Sequence, residues 1–127
     1  MAKLTQGDAA VLAARHVAEF NDAVEARQFA QFLRLFSDDA VMTFENVPGV
    51  GTLHYAGRDA YTKAYAERPP DDKIDITGVV TVDGDEAVVP FAWVRDEAPG
   101  TLRLRFSAGV PDSMDERLVT SLTIVFG

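Results

Sequence analysis

Leu12, His16, Phe20 and Val24 follow one another at a spacing of four, and Ala9, Ala13 and Val17 fill the same broad face. That stripe, opposite Arg15, Glu19 and Asp22, predicts an amphipathic helix. Thr5 is placed to cap its N-terminus, with Asp8 in the first turn, where a negative charge is favoured. Phe29, Phe32, Leu33 and Phe36 recur at three and four and predict a short second helix ending near Ser37-Asp38-Asp39. The period then changes. Val41, Thr43 and Glu45 alternate with Ala40, Met42 and Phe44, as a half-buried strand does.

Residues 46–51 hold a proline and two glycines and predict a loop; Thr52 to Tyr55 is a short strand. Gly57 to Arg68 predicts a third helix with Tyr61, Ala64 and Tyr65 on one side, stopped by Pro69-Pro70. The second half is strand signal. Lys73 to Val82 and Glu86 to Asp96 flank Asp83-Gly84, a hairpin turn pair. Ala98-Pro99-Gly100 predicts a turn, Thr101 to Ser107 a strand, residues 111–116 an acidic loop, and Leu118 to Phe126 the last strand. Helices cluster first and strands follow, which is an α+β order. The expected architecture is a curved antiparallel β-sheet wrapped around three N-terminal-half helices, forming a cone with an internal pocket.

The chain has 127 residues, which fits a single domain over 1–127. Its net charge of −8 argues against a phosphate-backbone binder, so no nucleic-acid partner is expected. With no cysteine, disulfides, thiolate metal sites and cysteine nucleophiles are excluded. No signal-peptide core and no membrane-spanning run is visible, so a cytoplasmic protein with no membrane partner is the expectation.

Three stretches carry a family likeness: LFSDDAVMTF, YAGRDAYTKAY and AVVPFAWV. In their order the chain resembles the nuclear transport factor 2-like superfamily, and within it the SnoaL-like and ketosteroid-isomerase-like small proteins, over roughly residues 9 to 126. The resemblance implies a cone fold. The superfamily holds isomerases, cyclases, dehydratases and non-catalytic modules, so it implies no single activity. Its ketosteroid isomerases use a strand aspartate as base, with a tyrosine and a protonated aspartic acid as oxyanion hole. Here the base position resembles Phe44, the tyrosine position His16, and the second acid Ala108. A phenylalanine cannot abstract a proton, so ketosteroid isomerase chemistry is not expected.

His16 remains the first candidate for acid or base, although a lone histidine on an apolar stripe is most often a packed core residue. Tyr55, Tyr61 and Tyr65 offer hydroxyls to orient a carbonyl, Tyr55 being the catalytic choice. Phe20, Phe44, Tyr61, Tyr65, Phe91 and Trp93 are the substrate-binding set, suited to a flat, apolar ligand. Arg95 shares strand parity with Phe91 and Trp93 and is the candidate to offset developing negative charge. Glu45 points away from a hollow that Phe44 faces, unless a bulge reverses it. Arg103 and Arg105 lie opposite Leu102, Leu104 and Phe106, on the outer sheet face or, in the other register, in the pocket. His54 reads as surface, and neither Asp38-Asp39 nor Asp71-Asp72 sits in a calcium-loop pattern.

Two functions fit. One is a small-molecule-binding protein acting as a cofactor-independent isomerase, cyclase or dehydratase by proton transfer on an apolar, carbonyl-bearing substrate. The other is a non-catalytic dimeric binding or assembly module with a largely filled cone. Neither requires a metal or cofactor. In either, the resemblance implies a homodimer through the outer sheet face.

Overall fold

The structure is a computed structural model that describes residues 5–107 and 118–126. The acidic loop expected at 111–116 and the position Ala108 lie outside the described residues.

Helix α1 spans Gln6–Ala26 and starts as its sequence predicts: Asp8 N–H donates to Thr5 Oγ1 at 3.0 Å. Its buried face is Ala9, Leu12, Ala13, His16, Val17, Phe20 and Ala23. Helix α2 is a single turn, Ala30–Leu33, and strand β1 already begins at Phe36 and runs to Val47. Ser37-Asp38-Asp39 therefore opens a strand rather than closing a helix. The cause is non-local: Val119 N–H donates to Leu35 O at 2.7 Å and Phe36 pairs with Val119.

Strand β2 is Gly51–Ala56 and helix α3 is Arg58–Glu67. Gly57 joins them at φ +94°, with its N–H donating to Ala40 O at 2.8 Å. Arg58 contacts Asp38 at 2.6 Å and donates to Phe36 O at 3.3 Å. The Gly-Arg pair thus straps α3 onto β1.

The run expected from Lys73 to Val82 breaks into β3 (Ile74–Ile76) and β4 (Thr81–Asp83), both paired to β5 (Glu86–Trp93). The break faces Pro90, which has no N–H to give to a ladder. A Cβ on Gly78 would lie 3.0 Å from the Pro90 ring. Strand β6 starts at Pro99, earlier than expected, and ends at Phe106; β7 is Val119–Phe126. Gly100, buried opposite Phe91, has no space for a side chain: a Cβ would meet the Phe91 ring at 2.6 Å and Val125 O at 2.9 Å.

The sheet order is β2-β1-β7-β6-β5-β3, with β4 beside the other half of β5. It is mixed rather than wholly antiparallel, because β1 and β7 run parallel. Met42, Leu102, Leu104, Leu122, Val89 and Phe91 form its inner face and pack on α1 through Leu12, Val17 and Phe20, giving the α+β cone. Helix α1 is tied to the sheet rim by polar contacts. Asn21 Nδ2 donates to Ile74 O, and Ile74 N–H donates to Asn21 Oδ1, both at 2.9 Å. Gln6 Nε2 donates to Val80 O. Among the described residues no helix is long and apolar enough to cross a membrane.

Candidate functional site

The cone holds a cleft of about 680 Å³ between α3 and the β1–β2 end of the sheet. Strand alternation builds one wall. Phe44 on β1 and Leu53 and Tyr55 on β2 face inward, joined by Ile124 of β7 and Trp93 of β5. Phe44 meets Tyr55 at 6.1 Å and Phe126 at 6.3 Å, while Trp93 stacks on Phe126 at 5.9 Å. Phe126 thus braces two wall residues, a role not visible in the sequence.

Helix α3 makes the opposite wall. It divides its residues between two directions. Tyr61 is buried toward the core and Tyr65 at the border of core and cleft, whereas Ala60 and Ala64 line the cleft alone. The cleft exists because this second face carries methyl groups where the first carries phenol rings. Lys63, Glu67 and Arg68 extend that face to the mouth, with Pro70 beyond them.

Deeper in the cone, the space is nearly filled. A void of about 10 Å³ remains, bordered by His16, Tyr61 and Phe91. That is about the smallest space that admits one water. Phe20, Tyr65, Trp93 and Ile124 line both this void and the cleft, and so form the partition between them.

His16 is 3% exposed. Its ring meets Phe32 at 5.1 Å and Phe36 at 5.7 Å, edge to face, and Nδ1 has no hydrogen-bond partner among the described residues. Burial, and secondly the charge of Arg15, lowers its pKa to about 3. The imidazole is neutral at physiological pH and a weak base. Tyr61 Oη is likewise buried with no hydrogen-bond partner among the described residues, and burial together with the adjacent Tyr65 raises its pKa. Burial raises Tyr65 too. Both phenols stay protonated.

Of the residues singled out from sequence, Phe20, Phe44, Tyr55, Tyr65 and Trp93 come together at the cleft. His16, Tyr61 and Phe91 surround the deep void instead. Arg95 joins neither. Strand β5 ends at Trp93, and the turn that follows carries Arg95 to the surface. There its guanidinium donates to Asp71 O at 3.0 Å and pairs with Asp71 Oδ1 at 3.2 Å, while its N–H donates to Asp72. Glu45 is exposed on the outer face.

Arg103 and Arg105 also take the outer-face register. Arg103 contacts Glu86 at 2.7 Å and Asp83 at 3.6 Å, and Arg105 lies 3.5 Å from Glu86. His54 sits on the same face, with Nδ1 3.0 Å from Thr43 Oγ1. Among the described residues no three side chains of His, Asp or Glu gather as a metal site.

The same fold recurs in solved structures of other proteins. An NTF2-like protein of unknown function from Mesorhizobium loti is 20% identical, with 96% of this chain and 93% of that one covered at a TM-score of 0.60. A candidate ketosteroid isomerase from Kribbella flavida is 21% identical, with 95% and 78% covered at 0.56. The beta subunit of the benzoate 1,2-dioxygenase from Burkholderia mallei is 20% identical, with 100% and 93% covered at 0.61. At these identities the likeness is one of fold. No curated protein matches the chain significantly. The SnoaL-like domain family matches residues 17–111, and this chain belongs to that family.

Proposed function

We propose that this protein binds a small, flat, largely apolar molecule in the cleft and does not use His16 to turn it over. The cleft carries the reading. Its volume of about 680 Å³ lies within the usual range for small-molecule sites, and Phe44, Tyr55 and Trp93 offer ring faces to a ligand. The Tyr55 hydroxyl is the group there suited to a ligand carbonyl. A general base works best with a pKa near the operating pH, and an imidazole held at about 3 is far from it.

Trp93 is the single tryptophan of the chain and lines the cleft, so its indole signal reports binding there without interference from a second indole. Titration with flat ring-containing carbonyl compounds should shift that signal saturably. The Ala64→Phe variant, which puts a ring into the cleft, should abolish the shift. Binding unaffected by Ala64→Phe, or no binding across the panel, would refute the reading.

One observation favours the catalytic alternative. His16 Nδ1 and Tyr61 Oη, both buried and unpartnered, border the same void. If the partition of Phe20, Tyr65, Trp93 and Ile124 parted, a ligand carbonyl could reach both and undergo isomerisation, cyclisation or dehydration by proton transfer. Turnover lost in His16→Gln with ligand binding kept would establish it. Unchanged turnover in that variant would rule His16 out.

A homodimer across the outer sheet face belongs to the same proposal. Register aligns His54, Thr43, Thr123, Arg103 and Val88 in one row there, a surface of mostly small side chains. Arg103 and Arg105 are matched to carboxylates of their own chain, so they would enter such a contact already neutralised. Sedimentation of the Thr123→Lys variant tests this: a dimer that persists unweakened excludes the face.

A further inference from the structure

The polar groups of the cleft are concentrated at its mouth. Along α3, Ala60, Lys63, Ala64 and Glu67 share the face that lines the cleft, and Arg68 follows at the C-cap. Neither Lys63 nor Arg68 has an ion pair among the described residues. Arg27 and Arg34 share that state among the described residues, but Lys63 and Arg68 differ from them in lining the cleft. Arg58, Lys73, Arg95, Arg103 and Arg105 are all matched to carboxylates.

Glu67 does not neutralise Lys63 within salt-bridge distance, although it stands one turn further on, and a lysine preceding a glutamate is the weaker order of an i, i+4 pair. A cation at the end of a helix complements the C-terminal dipole, which accounts for Arg68. It does not account for Lys63, a turn earlier and beside the cleft.

We infer that the ligand of this cleft is an amphipathic anion: a flat apolar ring system bearing a carboxylate, its rings against Phe44 and Trp93 and its carboxylate at Lys63 and Arg68. The inference rests on the cleft being a binding site and adds the chemical class. A guanidinium can hold a carboxylate through two parallel N–H···O bonds, and a lysine supplies a second, mobile charge. Both cations are exposed, so each contributes modestly and is screened by salt.

The test compares two probes of nearly identical shape, 2-naphthoate and 2-naphthamide, by chemical-shift titration of the Trp93 indole. Naphthoate should bind about three- to tenfold tighter at low salt, the range two exposed charge contacts support. The advantage should shrink toward unity in about 0.5 M NaCl and in the Lys63→Gln/Arg68→Gln double variant. Equal affinity of the two probes would overturn the inference and leave the cleft standing as a binding site. A naphthoate advantage that survives the double variant would overturn the placement of the carboxylate. Binding of neither probe would overturn the inference together with the binding reading on which it rests.

Discussion

Acid should weaken this protein through His16, by an amount that can be worked out. In the folded chain the imidazole is sealed against Phe32 and Phe36 and its pKa falls to about 3; in the unfolded chain it returns to about 6.5. Between those two values the unfolded state binds a proton that the folded state refuses. Stability from this residue is therefore complete above the unfolded value and is lost as pH falls toward the folded one. Going from about pH 7.5 to about pH 5.5 spans roughly one unit below the unfolded pKa, so the loss is about 1.4 kcal/mol. Most carboxylates stay ionised over that interval, and His54 is common to the native sequence and the variant compared with it. The assay is urea unfolding at both pH values for the native sequence and for His16→Leu, which cannot titrate. Leucine also changes packing, but that offset is common to both pH values and cancels in the difference. The native protein should lose about 1.4 kcal/mol more than the variant. Parallel losses would mean that His16 is protonated in the folded chain or reached by solvent, and the account of a sealed imidazole would be wrong.

Other expectations concern the walls and rim. Gly100→Ala drives a methyl group into Phe91 and Val125 O and should cost about 1–3 kcal/mol in chemical denaturation, the usual scale of overpacking. Asn21→Ala leaves the Ile74 N–H and C=O without their side-chain partner and should lower stability by about 1–3 kcal/mol, with faster amide exchange at Ile74. Phe44→Ala removes the ring that meets Tyr55 and should weaken flat ligands in the Trp93 titration far more than it lowers the melting temperature, since Phe44 is only partly buried.

Local periodicity was enough to place α1, because Leu12, His16 and Phe20 repeat along one uninterrupted face. Phe36 shows where it fails. Its spacing from Phe32 suits a helix, yet a strand more than eighty residues away claims it through Val119. Alternation along β1 turns Phe44 into the cleft and Glu45 away from it. The same parity misplaced Arg95, because parity holds only while the strand lasts and β5 ends at Trp93. His16 was legible as buried but not as partitioned from the cleft, since the partition is assembled from α1, α3, β5 and β7. Lys63 and Arg68 depend on the rotation of α3 about its axis, and Ala60 and Ala64 matter for space they do not fill, a signal that hydrophobic patterning does not carry.

The paired contacts of Asn21 have a meaning beyond docking a helix. Strand β3 is the last in the sheet order, and a terminal strand exposes backbone donors and acceptors that another chain could pair with. Asn21 takes up both the N–H and the C=O of Ile74, the first residue of that strand, as a neighbouring strand would. One amide side chain thereby occupies the outward backbone groups of Ile74 that a recruited strand would need. When Asn21 is lost, the first failure to look for is not unfolding but edge-to-edge self-association of a chain that is still largely native, growing with protein concentration at temperatures well below melting.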